Sequence, residues 1–104
     1  RGETVAAEAE YRAALALDPR FVPAWANLAD LRRLQGREAE VEATLREGLK
    51  VVPDAAALHH SLGLSLVRQQ RKAEALRELK RATELEPGNA RYNYVYDVAA
   101  SEIR

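Results

Sequence analysis

The side chains here that could carry chemistry are two adjacent histidines, three serines, many carboxylates and three tyrosines at alternate positions. A metal site would need His59 and His60 to converge. Neighbours on a helix point about 100° apart, because a turn holds roughly 3.6 residues, so the two rings diverge. The chain has no cysteine and no third histidine, which leaves no further soft or imidazole ligand at hand. We expect neither metal nor cofactor, and His59 reads as a packing residue. Ser61, Ser65 and Ser101 lack the glycine context of a nucleophile elbow. No glycine-rich loop is present to cradle a phosphate. Glu74 and Glu78 sit at helical spacing from Arg77 and Arg81, the pattern of ion pairs on a solvated face. Tyr92 and Tyr96 would share a helix face and pack, which leaves Tyr94 pointing elsewhere as a candidate ligand contact. The expected function is non-catalytic.

Composition narrows the classes further. Of 104 residues, 47% are apolar and 31% charged, the balance of one folded domain rather than a disordered chain. Lys and Arg total 16, as do Asp and Glu, so the chain lacks the electrostatic footprint for nucleic acid or an acidic membrane surface. No run approaches the roughly 18 apolar residues of a spanning helix, so membrane insertion is not expected. Without cysteine there are no disulfides to betray the compartment, which the sequence leaves open. No basic-then-apolar leader opens the chain. It begins at Arg1 and contains no Met, and we read it as a piece of a longer polypeptide. Abundant Ala and a preference for Arg over Lys point to a GC-rich bacterial source.

The elements that must position these side chains follow from a repeat. Pro19, Pro53 and Pro87 stand 34 residues apart. Each follows an apolar helix ending (Leu17-Asp18, Val51-Val52, Leu85-Glu86). Proline removes a donor and disfavours helical geometry in the residue before it, so each marks a helix stop. Ala14, Gly48 and Ala82 hold one place in this period, Tyr11, Leu45 and Leu79 another, and Ala7, Val41 and Ala75 a third. After the prolines come Trp25, Leu28 and Ala29, then His59, Leu62 and Gly63. Apolar residues at steps of three and four give each helix one buried stripe, and the small residues let neighbours approach. We expect six helices, near 3–17, 23–35, 38–51, 55–69, 72–85 and 90–102. Gly36 suits a left-handed helix end, and Gln70 holds the matching place with more strain. Asp54 and Asn89 are candidate N-caps.

This pattern resembles the tetratricopeptide repeat (TPR) over the whole chain. The resemblance implies an all-α fold, a right-handed α-α superhelix or solenoid of about three repeats and six antiparallel helices. The single array, 1–104, would divide into a second helix (1–19), two full repeats (22–55 and 56–89) and a first helix (90–104). Some positions depart from the family pattern. Arg32 replaces an aromatic, His59 replaces the Trp, and Gly48 costs up to about 1 kcal/mol in helix propensity. Asp97 falls at a normally small, buried place, and we expect its face to be open to solvent.

In the family the first helices line a concave groove. Carried over by register, its residues here are Asn27, Asp30, Arg33, His60, Ser61, Leu64, Arg68, Arg91 and Tyr94. Pro23, Ala26, Leu34, Ala57, Val67, Val95, Val98 and Glu102 extend the same surface. The resemblance implies a protein or peptide partner, its backbone hydrogen-bonded and its apolar side chains in pockets. Many peptide-binding members place an Asn where Asn27 stands; the plainer role is a solvated polar residue. A chaperone-type carboxylate clamp would need Lys and Arg at Ala57 and Ser61, so that mode is excluded. Arg33, Arg68 and Arg91 form either a cationic strip or, as we expect, surface charge balanced by nearby acids. The alternative is a structural segment of a larger bacterial protein, appended to an enzyme or cytochrome, or self-assembling head to tail through its half-repeats.

Overall fold

A computed structural model describes residues 2–103 of the chain; Arg1 and Arg104, at the outer edges of the expected half-repeats, lie outside the described residues. Six helices follow one another: α1 (Gly2–Leu17), α2 (Val22–Leu34), α3 (Glu38–Val51), α4 (Ala56–Arg68), α5 (Lys72–Leu85) and α6 (Ala90–Ile103). Consecutive helices pack as neighbours, and α2 also meets α4. This is the stacking of an elongated solenoid, with extents of 43 × 25 × 21 Å. Among the described residues the architecture is all helix, a solenoid of about three repeats.

Two kinds of turn alternate, and the sequence explains both. After α1, α3 and α5 the chain closes with Asp18, Val52 and Glu86 amides donating to Ala14, Gly48 and Ala82 carbonyls at 2.9, 2.8 and 3.0 Å. Proline then stops the helix. After α2 the Arg37 amide donates to Arg32 (3.0 Å) and the Gly36 amide to Arg33 (3.0 Å), a Schellman closure around Gly36 at φ 73°. The turn after α4 repeats it through Arg71 to Leu66 (2.9 Å) and Gln70 to Val67 (3.0 Å). There the left-handed residue is Gln70, φ 64°, a strained conformation for a residue with Cβ. Asn89 caps α6, accepting from the Tyr92 amide at 3.1 Å. Asp54 is not a cap, contrary to expectation: Ala55 holds that place and no side chain caps α4. The turn after Pro53 runs one residue longer than an Asp54 cap allows.

The core runs through α2 to α5, built on Trp25, Ala29, Val41, Leu45, Leu58, Leu62, Leu66 and Ala75. Leu45, Leu58, Leu66 and Leu79 are wholly enclosed. α1 has no buried residue, and none of α6 through residue 102 is buried either. Two glycines serve close approach. A Cβ on Gly48 would stand 2.9 Å from Trp25 Cγ and from Leu58 Cδ1, so the indole needs the bare backbone and the lost propensity is offset by its burial. A Cβ on Gly63 would lie 2.5 Å from Leu79 Cδ2.

Arg32 is buried, at 8% exposure. Its Nη1 donates to Thr44 Oγ1 at 2.7 Å and its Nη2 reaches Glu8 at 3.4 Å. The guanidinium thus fills the aromatic's place and links α1, α2 and α3. Asp97 is exposed, on an open face. The expected α5 ion pairs are re-partnered, two within α5 and its N-cap and one to α4. Glu74 bonds Arg71 at 3.0 Å, and Glu78 meets His59 of α4 at 2.7 Å. Arg81 turns to Glu84 at 3.6 Å.

Candidate functional site

The two histidines part company, as their position on one helix requires. His59 stands one repeat after Trp25. The indole Nε1 donates to the Pro19 carbonyl at 2.8 Å, and His59 Nε2 meets the Pro53 carbonyl at 2.7 Å. Its Nδ1 lies 2.7 Å from Glu78 Oε1. A carbonyl and a carboxylate only accept, so both contacts are hydrogen bonds only while both ring nitrogens carry protons. The Glu78 hydrogen bond is the chief reason its pKa is raised, with the Pro53 carbonyl adding to it. His60 behaves oppositely. It is buried at 4% exposure and stacks on Tyr92 of α6, centroids 4.5 Å apart at 27°. Neither nitrogen has a partner among the described residues, and burial lowers its pKa. His60 is therefore not a groove contact, correcting the sequence expectation: α6 packs over it, which no periodicity within α4 could reveal.

Two clefts bring together six of the nine expected site residues. The first, between α2, α3 and α4, is lined by Asp30, Arg33, Ser61, Leu64 and Arg68 above Ala29, Val41 and Leu45, and holds about 40 Å³. Its rim is polar and closed by hydrogen bonds. Arg68 Nε and Nη2 donate to Glu38 at 2.8 and 3.0 Å, and Ser65 Oγ donates to the same carboxylate. These contacts, Arg68 first, hold the Glu38 carboxyl below its usual range. Arg33 lies 3.5 Å from Asp30. Two of the three arginines of the suggested strip are thus matched by acids, as the plainer reading had it. The second cleft, between α4, α5 and α6, is lined by Leu64, Val67, Ala75, Leu79, Tyr94, Val95, Val98 and Ala99, with Lys72 and Glu102. It holds about 200 Å³, and Tyr94 is 70% exposed.

Asn27 and Arg91 are exposed and line neither cleft. Sequence reasoning missed Glu38 and Lys72, because it drew the surface from first helices alone, and it missed Ser65 and Ala99 on α4 and α6, which it did not count among the groove positions of those helices. The signal was present: shifting the Glu38–Arg68 pair by one 34-residue period lands on Lys72 and Glu102.

Helix pairs stacked at a fixed period, with Trp or His tethered to the preceding proline carbonyl, define a helical-repeat solenoid. The chain belongs to the tetratricopeptide repeat family: models described as Tetratricopeptide repeat match residues 1–64 and residues 56–89. It is 37% identical over 68 residues to Protein O-mannosyl-transferase TMTC1 of Mus musculus, a match spanning 65% of this chain and 7% of that protein. Among solved structures, the fold resembles the first TPR of Spaghetti (RPAP3) bound to HSP90 peptide SRMEEVD. That similarity has TM-score 0.81 at 19% identity, over 98% of this chain and 81% of that one. It also resembles MamA (TM-score 0.79, 20% identity, 98% of this chain and 60% of that one). A third likeness is the Yersinia enterocolitica type III secretion chaperone SycD in complex with a peptide of the translocator YopD. Its TM-score is 0.75 at 18% identity, over 96% of this chain and 76% of that one. At such identities the likeness concerns the fold. No helix among the described residues is long and apolar enough to cross a membrane.

Proposed function

We propose that this protein-interaction module is non-catalytic and binds a peptide segment along the face where α2, α4 and α6 lie side by side. The observation that carries this reading is the succession of two clefts in one register, each walled by two first helices and the second helix between them. A continuous strip of this kind fits an extended or helical segment. Two structures of the same fold, RPAP3 and SycD, are complexes with peptides by their own descriptions. Photo-crosslinking tests it, with benzoylphenylalanine placed at Ser61, Tyr94 or Arg77. Partner adducts from Ser61 and Tyr94 but not from Arg77 on α5 are expected; adducts from Arg77 alone would refute the assignment.

A second reading makes the chain an interaction segment of an enzyme, and the match to a protein named as a transferase favours it. Head-to-tail self-assembly is less well supported. The α6 residue equivalent to Ala29 and Gly63 is Asp97. In the α4–α5 pair a Cβ at that place would lie 2.5 Å from Leu79 Cδ2, and the α2 equivalent carries only the methyl of Ala29. A carboxylate there would be crowded and desolvated. A constant monomer mass by light scattering up to millimolar concentration is the expected outcome.

A further inference from the structure

One repeat apart, the two clefts share a framework and reverse its chemistry. Advancing by 34 residues turns Glu38 into Lys72, Ser65 into Ala99 and Arg68 into Glu102. In the first cleft those groups bond one another and close the space to about 40 Å³. In the second, Ala99 has no hydroxyl to offer, and among the described residues neither Lys72 nor Glu102 has an ion-pair partner. The space remains open at about 200 Å³. Val67 and Val98 on its sides are 37% and 40% exposed, apolar surface that a ligand would remove from water.

The chemistry of the opening narrows what fits. Aliphatic walls give water few partners and favour an apolar group. Lys72 and Glu102 add two charges of opposite sign to the lining, neither ion-paired among the described residues. A small apolar molecule would use the walls alone and gain nothing from either exposed charge. A peptide meets all three demands at once, because it can carry an apolar side chain between an acidic and a basic neighbour. The first cleft, closed by its own ion pair, has no comparable room.

We propose that the cleft between α4, α5 and α6 is the anchor subsite of the groove. It takes one bulky aliphatic or aromatic side chain of a peptide, with a carboxylate beside Lys72 and a cation beside Glu102. This rests on the groove reading above and adds the class of residue recognised. Random dodecapeptides displayed on phage and selected on the 104-residue chain provide the probe, followed by fluorescence polarisation of a selected peptide. Enriched peptides should share one Leu, Ile, Phe or Trp flanked by opposite charges. Replacing that residue by Ala, or introducing Val98→Asp, should each weaken binding about tenfold or more, the behaviour of a buried anchor. Ala99→Phe, which fills the cleft without adding charge, should do the same, and thermal melts identify any variant that fails to fold. The exchange Lys72→Glu/Glu102→Lys should lose affinity and regain it with a peptide whose two charges are exchanged. Binding that survives Val98→Asp and Ala99→Phe but falls with Arg33→Glu would overturn the anchor and leave the groove standing. Indifference to all these variants would overturn both. Failure to enrich any peptide, or a dimer dissociated by Val98→Asp, would overturn the peptide as occupant.

Discussion

The junction of α2, α3 and α4 and the junction of α4, α5 and α6 use the same register, yet one is sealed and the other open. In the first, Glu38, Ser65 and Arg68 satisfy one another. In the second, Lys72, Ala99 and Glu102 do not. The helices are placed by core positions, Val41 and Leu45 in one unit, Ala75 and Leu79 in the next, which are equally buried although Val becomes the smaller Ala. The groups between the helices are free to vary because they do not set the spacing. A repeat protein can therefore change what a cleft accepts while keeping its fold, since each unit depends only on its neighbours.

The comparison breaks most readily at the close-approach place. Ala29 of the first unit becomes Gly63 in the second, and Gly63→Ala should destabilise the chain by about 2 kcal/mol through collision with Leu79. Urea denaturation would measure it; Ala29→Gly, which creates no clash, should cost about 1 kcal/mol or less.

Trp25 and His59 give the next test. The folded pKa of His59 lies above its ordinary value. Its contribution is therefore complete below pH about 6.5 and is lost as pH rises through the higher folded value. Losing that charge-assisted bond should cost about 1.5 kcal/mol. Thermal melts between pH 6 and 9 should show this decline in the native chain, and His59→Trp, which restores the indole donor, should abolish it. His60, with its pKa lowered by burial, works in the opposite sense: its contribution is present above its ordinary pKa and lost as pH falls through the folded one.

Reversing polarity in the sealed cleft is a gentler change. Glu38→Lys should cost about 1 kcal/mol, the scale of a partly exposed pair, and Glu38→Lys/Arg68→Glu should recover most of it in a double-mutant cycle. The smallest effect is at the matched turns, where Gln70→Gly should stabilise by about 0.5 kcal/mol, since the left-handed place then matches Gly36. Gly36→Gln should have the opposite sign in the same melt.

Much of the fold was legible because it obeys a period. Three prolines, the small residues at Ala14, Gly48 and Ala82, and the apolar stripes located the six helices to within a residue or two. The turn at Gln70 and the cap at Asn89 were legible for the same local reason. The candidate site was legible only in part. Leu64, Ser61 and Tyr94 line the clefts as register suggests, whereas His60 is buried and Glu38, Ser65, Lys72 and Ala99 were missed. Burial of His60 depends on Tyr92, 32 residues away along the chain, and the Arg68 partner is a Glu38 on another helix.

The sequence by itself determined the repeat, its helices and its family, because hydrophobic period and proline punctuation act within a few residues of the chain. Only the tertiary structure decided which charges find partners, which histidine has its pKa raised and which cleft stays open. Those outcomes are set by distances between helices, where a shift of one or two ångströms decides whether side chains meet each other or water.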